Sequence, residues 1–170
     1  GEGTLDVGIT GRDLLLDSGA NADEVMPLGF AGSTFRFAAP EGGLDTVQDL
    51  AGRRIATSYP GIVKSHLDNL DIQADVVRLD GAVETSIRLG VADAIADVVE
   101  TGTTLRQAGL RVFGDPIMRS EAVVITRPGA EPTPGYEVFQ RRIESVIVAR
   151  TYVMMDYDIR EEFVDAAVEL

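Results

Sequence analysis

The sequence predicts an α/β fold with a largely parallel sheet. Short apolar runs of strand length alternate with segments of helical character along most of the 170 residues. Glycine or proline follows many of these segments and marks their ends. Hydrophobic residues make up 45% of the chain and the mean hydropathy is +0.07, so the chain has enough apolar surface for a folded core.

Apolar and β-branched runs predict the strands. In chain order these strands cover residues 5–9, 34–39, 54–57, 75–79, 94–98, 110–113, 122–126 and 151–157. Residues 94–96 are short and wholly apolar, as in a parallel strand that is buried on both faces. The last strand is assigned from its aromatic and β-branched residues.

Helices are predicted between these strands, where capping and stop residues bound the segments. In chain order they cover residues 12–18, 46–51, 61–70, 82–89, 103–108, 136–150 and 160–170. Thr46 is expected to be an N-cap, because its hydroxyl can accept from the first free amides of a helix. Glycines end several of the helices, as is common at a helix C-terminus: Gly19, Gly52, Gly90 and Gly109.

Two prolines suggest how the chain is divided into lobes. Pro40 and Pro128 fall just after the strands at 34–39 and 122–126, which suggests that these strands are the two crossings of a hinge. We therefore expect residues 1–33 to be part of lobe I, 34–126 to form lobe II, and 127–170 to return to lobe I. The sequence starts without methionine and stops inside a predicted helix that has no stop signal, so we also expect truncation at both ends.

Charge and composition exclude several classes of function. The formal net charge of −13 repels nucleic acid, although local cations and backbone amides can still hold small polyphosphates. The chain has no cysteine, which excludes disulfides and thiolate chemistry. No apolar run approaches the roughly 20 residues of a membrane helix. No secretory signal is visible either, and we expect a cytoplasmic protein that contacts neither membrane nor nucleic acid.

The most informative stretch follows the apolar strand at 94–96. Asp97 stands at the carboxyl end of this strand, where open α/β sheets bind ligands. The next turn has hydroxyl groups, a glycine and the start of a helix, which together suit a phosphate, while a carboxylate can accept from ribose hydroxyls. The candidate ribose-phosphate site comprises Asp97, Val98, Val99, Glu100, Thr101, Gly102, Thr103 and Thr104. The alternative is that Thr101 is only an N-cap and Gly102 only a turn residue.

A second group of candidates follows the strand at 75–79. Asp80 ends the strand, Gly81 makes the turn, and Glu84 lies in the first turn of the next helix. Both acids can face the same cleft as Asp97 and contact ribose or a magnesium-bound pyrophosphate. Equally, Asp80 can be an N-cap, and Glu84 can favour the helix dipole without any further role.

Two further stretches at strand ends suit a phosphate or a base. They supply the candidates Gly11, Arg12, Asp13, Ser58, Tyr59 and Lys64, although capped helices explain both stretches equally well. Other candidate cations are Arg36, Arg53 and Arg54, among which the sequence does not choose. We assign no role to His66, and we find neither a metal-ligand spacing of His and Cys nor a serine triad.

The order of these motifs resembles the ATP phosphoribosyltransferase family. The resemblance spans nearly the whole chain and rests on Gly-Ile-Thr-Gly-Arg-Asp-Leu (8–14), Arg-Ile-Ala-Thr-Ser-Tyr-Pro (54–60), Leu-Asp-Gly-Ala-Val-Glu (79–84), Leu-Gly-Val-Ala-Asp-Ala-Ile-Ala-Asp-Val-Val (89–99) and Thr-Gly-Thr-Thr-Leu (101–105). The Tyr-Val-Met-Met-Asp stretch at 152–156 resembles the long form of the family in particular, which carries a C-terminal histidine-sensing domain.

The resemblance implies a two-lobed catalytic core like a type II periplasmic binding protein, with a cleft between α/β lobes. It implies that residues 97–104 bind the ribose and 5-phosphate of phosphoribosyl pyrophosphate (PRPP), and that Asp80, Gly81 and Glu84 line the same cleft. The implied reaction is the first step of histidine biosynthesis, in which N1 of ATP attacks C1 of PRPP and pyrophosphate leaves. Mg²⁺ would enter on the substrate pyrophosphate with no assigned protein ligand, and no side chain would act as nucleophile.

The resemblance also implies what the chain lacks. The first third of the family's catalytic region, with a Lys-Gly loop of the nucleotide site, has no counterpart here, and neither has the regulatory domain. We therefore expect impaired activity, no inhibition by histidine, and assembly as a homo-oligomer. Two other classes remain open: a solute-binding module of the same fold without catalysis, and a type I phosphoribosyltransferase, which lacks the Gly-Arg-Asp and Thr-Ser-Tyr-Pro elements.

Overall fold

The computed structural model describes residues 5–99, 102–131, 133–156 and 158–164. These residues belong to two units, Gly1–Glu131 and Pro132–Leu170. The strands described in the first unit are β1 (Val7–Gly11), β2 (Asp23–Pro27), β3 (Ser33–Pro40), β4 (Arg54–Thr57), β5 (Asp75–Arg78), β6 (Ala94–Val99), β7 (Leu110–Ser120) and β8 (Ala122–Thr126). Its α-helices are α1 (Arg12–Ser18), α2 (Pro60–Asn69), α3 (Thr85–Arg88) and α4 (Thr103–Gln107), with a 3-10 helix at Val47–Leu50.

β8 is the central strand of an antiparallel three-stranded sheet with the order β1-β8-β2. Val124 pairs with Ile9 on one side and with Met26 on the other. Val123 and Val124 are almost fully buried, as expected of β-branched residues in a central strand. This sheet holds β1 and the start of α1 in place, because the amide of Arg12 donates to the carbonyl oxygen of Glu121 at 3.0 Å.

The second sheet has five strands in the order β5-β4-β6-β3-β7. β4 is parallel to both β5 and β6, whereas β3 is antiparallel to both of its neighbours, β6 and β7. The prediction of a largely parallel sheet is therefore correct for β5, β4, β6 and β7 and wrong for β3. Alternating strands and helices correctly indicate crossovers that keep β5, β4, β6 and β7 in one direction. They give no sign that β3, which comes earlier in the chain, is inserted between β6 and β7.

Both faces of the five-stranded sheet are covered, because successive side chains of each strand point to opposite sides. On one face, Phe37, Ile55 and Ala96 pack with Val63 and Leu67 of α2. The other face carries Ala38, Ala56 and Ile95, which pack with Val83 and with Leu105 of α4. Full burial of a side chain such as Phe37 or Ile55 contributes about 1.5–3 kcal/mol to folding. The result is a three-layer α/β/α arrangement.

Most predicted elements are confirmed, α1, β4 and β8 with the predicted bounds. β2 escaped prediction because only Met26 of its five residues is buried, so the strand shows no apolar alternation. β7 continues to Ser120, well past the predicted end at Phe113. Gly114 and Pro116 suggest a loop in the sequence, but β7 is an edge strand, where proline and an irregular register are tolerated.

The second unit contains α5 (Pro134–Thr151), whose N-cap Thr133 accepts from the amide of Tyr136 at 3.2 Å. The predicted strand at 151–157 is wrong for its described residues: Thr151 ends α5, and residues 152–156 have no regular structure. Beyond them a 3-10 turn covers Glu161–Phe163, and residues 165–170 of the predicted last helix lie outside the described part. No described helix is long and apolar enough to cross a membrane.

Candidate functional site

The candidate site lies at the carboxyl ends of β4 and β6, which run side by side in the same direction. Ala56 of β4 pairs with Ile95 of β6, and beyond this pair the strands carry Thr57 and Asp97. Thr57 is fully buried, and its Oγ1 accepts from the amide of Tyr59 at 3.0 Å, which turns the chain from β4 into α2. The carboxyl end of β4 and Asp97, two residues before the end of β6, therefore lie toward the same end of the sheet, where open α/β sheets bind ligands.

Asp97 is half-buried and has an unusual electrostatic environment. Burial raises the pKa of its carboxyl above the ordinary value, and the negative charge of Glu84 adds to the rise. Its Oδ1 accepts from the amide of Val98 at 2.7 Å, which lowers the pKa and opposes the other two effects. Asp97 and Glu84 therefore lie close enough to repel each other, and a cation or a set of hydroxyl donors between them would relieve the repulsion.

The turn before α3 brings Glu84 to Asp97. Gly81 and Ala82 both have positive φ, 81° and 45°. The left-handed conformation is uncommon for alanine, and two such residues in succession reverse the chain sharply after β5. Glu84 follows as the half-buried N-cap residue of α3. Asp80, in contrast, is exposed and forms an ion pair with Arg78 at 3.3 Å, so its side chain is engaged outside the group that surrounds Asp97.

Tyr59 links Asp97 with the start of α1. Its ring packs edge-on against buried Phe35, with the ring centres 4.7 Å apart. Burial raises the pKa of the Tyr59 hydroxyl, and the charges of Asp13, Asp97 and Asp17 raise it further, as does a hydrogen bond with Asp13. The phenol is therefore kept protonated, as a hydrogen-bond donor among carboxylates.

Asp13 is held at this place by Ser120, the last residue of β7. The amide of Asp13 donates to Ser120 Oγ at 2.9 Å, and the Ser120 hydroxyl donates to the Asp13 carboxylate at 3.0 Å. Ser120 is buried, so the pair is a fixed part of the structure. Sequence reasoning singled out Asp13 but missed Ser120, since a serine at the end of an edge strand gives no local signal.

A contact between α1 and α2 closes the side of this region. Asp17 Oδ1 accepts from the amides of Gly61 and Ile62 at 2.7 and 3.2 Å, and so caps α2 from another helix. Gly61 allows this close approach, because a Cβ there would overlap the backbone carbonyl oxygen of Asp17. Sequence reasoning missed Asp17, because capping across two helices leaves no pattern in the local sequence.

The predicted phosphate loop is described only in part. Glu100 and Thr101 lie outside the described residues, while Val98 and Val99 are the last residues of β6. Gly102 has a φ of 69° and precedes α4, which begins with Thr103 and Thr104. The left-handed conformation explains the glycine. Because α4 has only five residues, its dipole contributes little, and backbone amides and nearby cations must provide most of the attraction for a phosphate.

The predicted cations differ in their freedom to meet a substrate. Arg12 donates to both carboxylate oxygens of Glu24, from Nη2 at 2.6 Å and from Nε at 2.9 Å. Its Nη1 also donates to the carboxylate of Glu121 at 3.3 Å. The hydrogen bond with Glu24 is the main cause that raises the pKa of Arg12 above its ordinary value. Lys64 is exposed on α2. Arg54 lies at the amino end of β4, where it holds Asp93, and so stands at the opposite end of the strand from Asp97.

The structure thus brings one set of predicted residues together and leaves others apart. Tyr59 interacts electrostatically with Asp13 and with Asp97, and Asp97 interacts in turn with Glu84. Ser58 belongs to the same turn, but its hydroxyl already donates to the carbonyl oxygen of Leu79 at 2.7 Å. Five other candidates either provide backbone shape or make ion pairs elsewhere: Gly11, Gly81, Gly102, Arg12 and Asp80.

Solved structures define the class of this fold. One is holo ArgBP from T. maritima, with a TM-score of 0.56, 15% identity and coverage of 88% of this chain and 66% of that chain. Another is the GluR0 ligand-binding core in complex with L-glutamate, with a TM-score of 0.54, 14% identity and coverage of 77% and 60%. The chain therefore has an α/β fold of the type II periplasmic-binding-protein-like class, as the sequence predicts.

A second solved structure from Thermotoga maritima narrows the class to a family. It is described as an ATP phosphoribosyl transferase (HisG:HisZ) complex and matches with a TM-score of 0.74 and 26% identity, over 86% of this chain and 72% of that chain. The family profile of HisG, ATP phosphoribosyltransferase, matches residues 1–148. The chain belongs to the ATP phosphoribosyltransferase family.

Curated relatives agree with this assignment. ATP phosphoribosyltransferases from Streptomyces coelicolor and Kocuria rhizophila are 63% and 65% identical to the chain, over 172 and 171 aligned residues. The alignments cover 99% and 100% of this chain but 60% of each relative. The chain thus spans about 60% of the length of the curated relatives that it matches.

Proposed function

We propose that this chain provides a PRPP-binding catalytic site that joins N1 of ATP to C1 of PRPP with release of pyrophosphate. The product would be phosphoribosyl-ATP, in the first step of histidine biosynthesis. The observation that carries the proposal is half-buried Asp97, beside Glu84, in the second half of β6 and five residues before Gly102. The family membership supports the same reaction.

The placement of charge suits the parts of PRPP. Asp97 would accept hydrogen bonds from the ribose hydroxyls, because an ionised carboxylate is a strong acceptor. The same negative charge disfavours a phosphate group at this position. The 5-phosphate would bind at residues 97–104, with amides and hydroxyls of Gly102, Thr103 and Thr104 as donors. Asp80 and Gly81 would line the cleft beside Glu84.

The reaction requires that the two substrates are held in line and that the charge developing on the ribose ring is stabilised. As the bond from C1 to pyrophosphate breaks and N1 of adenine approaches, positive charge develops on the ribose ring. The carboxylates of Asp13, Glu84 and Asp97 would stabilise this charge, and the cleft would hold the two substrates in line. Gly11, Arg12, Asp13, Ser58, Tyr59 and Lys64 would face ATP or pyrophosphate. Lys64, an exposed lysine, is better suited to meet pyrophosphate than Arg12, which Glu24 and Glu121 hold.

Mg²⁺ fits the donors of this cleft. Carboxylate oxygens are ligands that Mg²⁺ prefers, and it commonly binds through one or two of them together with substrate phosphates. Asp80 and Glu84 would contact water molecules of the ion when it enters on the pyrophosphate, and we assign no direct protein ligand. Bound there, Mg²⁺ would neutralise part of the charge of the leaving group.

We further propose a cytoplasmic homo-oligomer. We also propose a hinge at 34–39 and 122–126, with residues 1–33 and 127–170 in lobe I and 34–126 in lobe II.

Calorimetry with small ligands tests the proposal on the chain itself. We expect saturable binding of PRPP in the presence of Mg²⁺, no saturable binding of L-glutamate or L-arginine, and slow release of pyrophosphate when ATP is added with PRPP. Binding of an amino acid without binding of PRPP would instead favour a solute-binding module of the same fold. That alternative gains no support from the family match, which is to the transferase.

A further inference from the structure

Ser120 holds both the backbone and the side chain of Asp13. It is buried at the end of β7, where a single residue, Glu121, separates this strand from β8. Its Oγ accepts from the amide of Asp13 at 2.9 Å, and its hydroxyl donates to Asp13 Oδ1 at 3.0 Å. Both bonds reach across 107 positions of the chain to the same residue.

The two bonds have different consequences. The bond from the amide caps α1, because the N-cap residue Gly11 has no side chain and a hydroxyl from β7 takes its place. This cap requires only an acceptor. The proton of the hydroxyl goes to Oδ1 of Asp13, which adds nothing to the cap but fixes the direction of the carboxylate.

Gly11 provides the space in which the carboxylate lies. Its φ of −73° and ψ of 140° are extended values that any residue adopts, so the backbone does not require glycine here. A Cβ at this position would overlap Asp13 Oδ1, the oxygen to which Ser120 donates. A larger residue would therefore displace the carboxylate, which is the end of a side chain, and leave the backbone in place.

The carboxylate held in this way is the acceptor for the Tyr59 hydroxyl. The ring of Tyr59 is itself fixed, because it packs edge-on against Phe35. In addition, its amide donates to Thr57 Oγ1 at 3.0 Å. Asp13 thus receives one donor from Ser120 and one from Tyr59. An ionised carboxylate has about four acceptor positions, so further positions stay open toward a substrate.

We propose that Ser120 is a positioning residue for the transfer reaction, which holds the Asp13 carboxylate in the space left by Gly11 and directs it toward the reacting ribose. This inference rests on the proposed function, whereas the orientation of Asp13 can be tested without it. A carboxylate that acts on charge developing in the transition state contributes to turnover more than to the affinity for substrate. Loss of the Ser120 hydroxyl should therefore lower kcat and leave the binding of PRPP nearly unchanged.

Ionisation of Tyr59 tests the orientation of Asp13 without any substrate. Burial raises the pKa of the Tyr59 hydroxyl, and so do three nearby carboxylates: Asp13, Asp97 and Asp17. Asp13 raises this pKa also as a hydrogen-bond acceptor. In Ser120→Ala the carboxylate is free to turn away, so the pKa of Tyr59 should fall. Ser120→Thr keeps the hydroxyl and should keep the pKa of the parent.

The titration follows the absorbance of tyrosinate, and far-UV circular dichroism checks the fold at each pH. The chain has four tyrosines, so the titration of Tyr59→Phe is subtracted. Gly11→Ala should lower the pKa of Tyr59 as Ser120→Ala does, although it leaves the Ser120 hydroxyl in place, and it decides the question if Ser120→Ala fails to fold. Ser18→Ala is the matched control, because the Ser18 hydroxyl donates to the carbonyl oxygen of Leu15 at the other end of α1.

Release of pyrophosphate and calorimetry with PRPP test the role in the reaction. Ser120→Ala should lower turnover about tenfold, the lower end of the range for a hydrogen bond to a charged group, and change the Kd of PRPP less than twofold. Ser120→Thr should restore most of the turnover, and Ser18→Ala should retain it.

The proposal is overturned if the Tyr59 titration is unchanged in both Ser120→Ala and Gly11→Ala, or if Ser18→Ala shifts it equally. Full turnover of a folded Ser120→Ala variant would also overturn it. If the parent neither binds PRPP nor releases pyrophosphate, the proposed function fails and the role of Ser120 in the reaction fails with it. The titration of Tyr59 would still show whether Ser120 orients Asp13, so the two failures are distinguishable.

Discussion

At the residue scale, Asp97 combines an unfavourable environment with a useful position. It is half-buried beside Glu84, and burial raises the pKa of its carboxyl. Groups of this kind are common at functional sites, because a substrate can supply the partners that the free protein lacks. The ionised carboxylate should lower the stability of the fold and raise the affinity for substrate, and substitution of Asp97 tests both effects.

Asp97→Asn should weaken PRPP and stabilise the folded chain. Loss of a charged acceptor for ribose hydroxyls should cost about 1.5–3 kcal/mol of binding, or roughly 10- to 150-fold in Kd. The folded-state pKa lies above the ordinary 3.8, so the ionised carboxylate destabilises the fold once the pH exceeds both values. The gain in unfolding free energy should therefore be largest at neutral pH and shrink as the pH falls toward 3.8.

Urea denaturation at several pH values and calorimetry with PRPP measure these two effects. Asp68→Asn is the control, because Asp68 is exposed on α2 away from the site. A folded variant that binds PRPP like the parent would contradict the role in ribose recognition. An unfolded variant would mean that Asp97 serves the fold.

Gly102→Val should weaken PRPP by more than tenfold. The φ of 69° is strained for a β-branched residue, so the loop backbone should move away from its present course. The described residues do not crowd an added Cβ, since the nearest of their atoms is Val99 Cγ1 at 3.7 Å. Gly109→Val is a matched control, because Gly109 has a φ of 73° at the other end of α4. If both variants bind PRPP equally well, Gly102 is only a turn residue.

At the element scale, the contact between α1 and α2 joins the three-stranded sheet to the five-stranded one. α1 follows β1 directly, and α2 follows β4. Asp17 supplies the cap that the N-terminus of α2 otherwise lacks, since Tyr59 makes no side-chain cap there. A carboxylate at the positive end of a helix is favourable both as an acceptor and as a charge.

Asp17→Ala should lower the free energy of unfolding by about 0.5–2 kcal/mol, the range for loss of a helix cap. Asp17→Asn should lower the free energy of unfolding less, because the amide oxygen can still accept from the amides of Gly61 and Ile62. Gly61→Ala should lower it more than Asp17→Ala does, because the added Cβ would force the two helices apart. Thermal or urea unfolding measures the series, with Asp68→Ala as control. Equal stability of Asp17→Ala and the parent would show that water replaces the carboxylate at no cost.

How far the sequence predicts this fold depends on whether the signal is local. α1 and β4 are predicted with correct bounds because a glycine stop and a short apolar run mark them. Asp97 is predicted as a site residue because it follows such a run. The insertion of β3 between β6 and β7 and the meeting of Asp13 with Tyr59 depend on segments far apart in the chain. No local pattern encodes them.

At the scale of the whole molecule, both units expose large apolar side chains. In the first unit, Leu5 and Ile9 are 74% and 55% exposed. In the second unit, Val153 and Met154 are 92% and 98% exposed, and α5 has no buried residue. A continuous run of exposed apolar residues is unusual on the surface of a monomer and commonly marks an interaction site.

The chain should self-associate in solution through residues 152–155. Met154→Lys should shift the distribution toward monomer, because a charge in an apolar contact must be desolvated without a partner. Gln140→Lys adds the same charge on α5 outside this run and should leave the distribution unchanged. Light scattering at several concentrations measures association, and a coupled pyrophosphate assay on the same samples measures turnover, which we expect to be low. A chain that stays monomeric at every concentration and turns over rapidly would contradict both expectations: the exposed run would then serve no self-contact, and residues 1–170 would suffice for the nucleotide site.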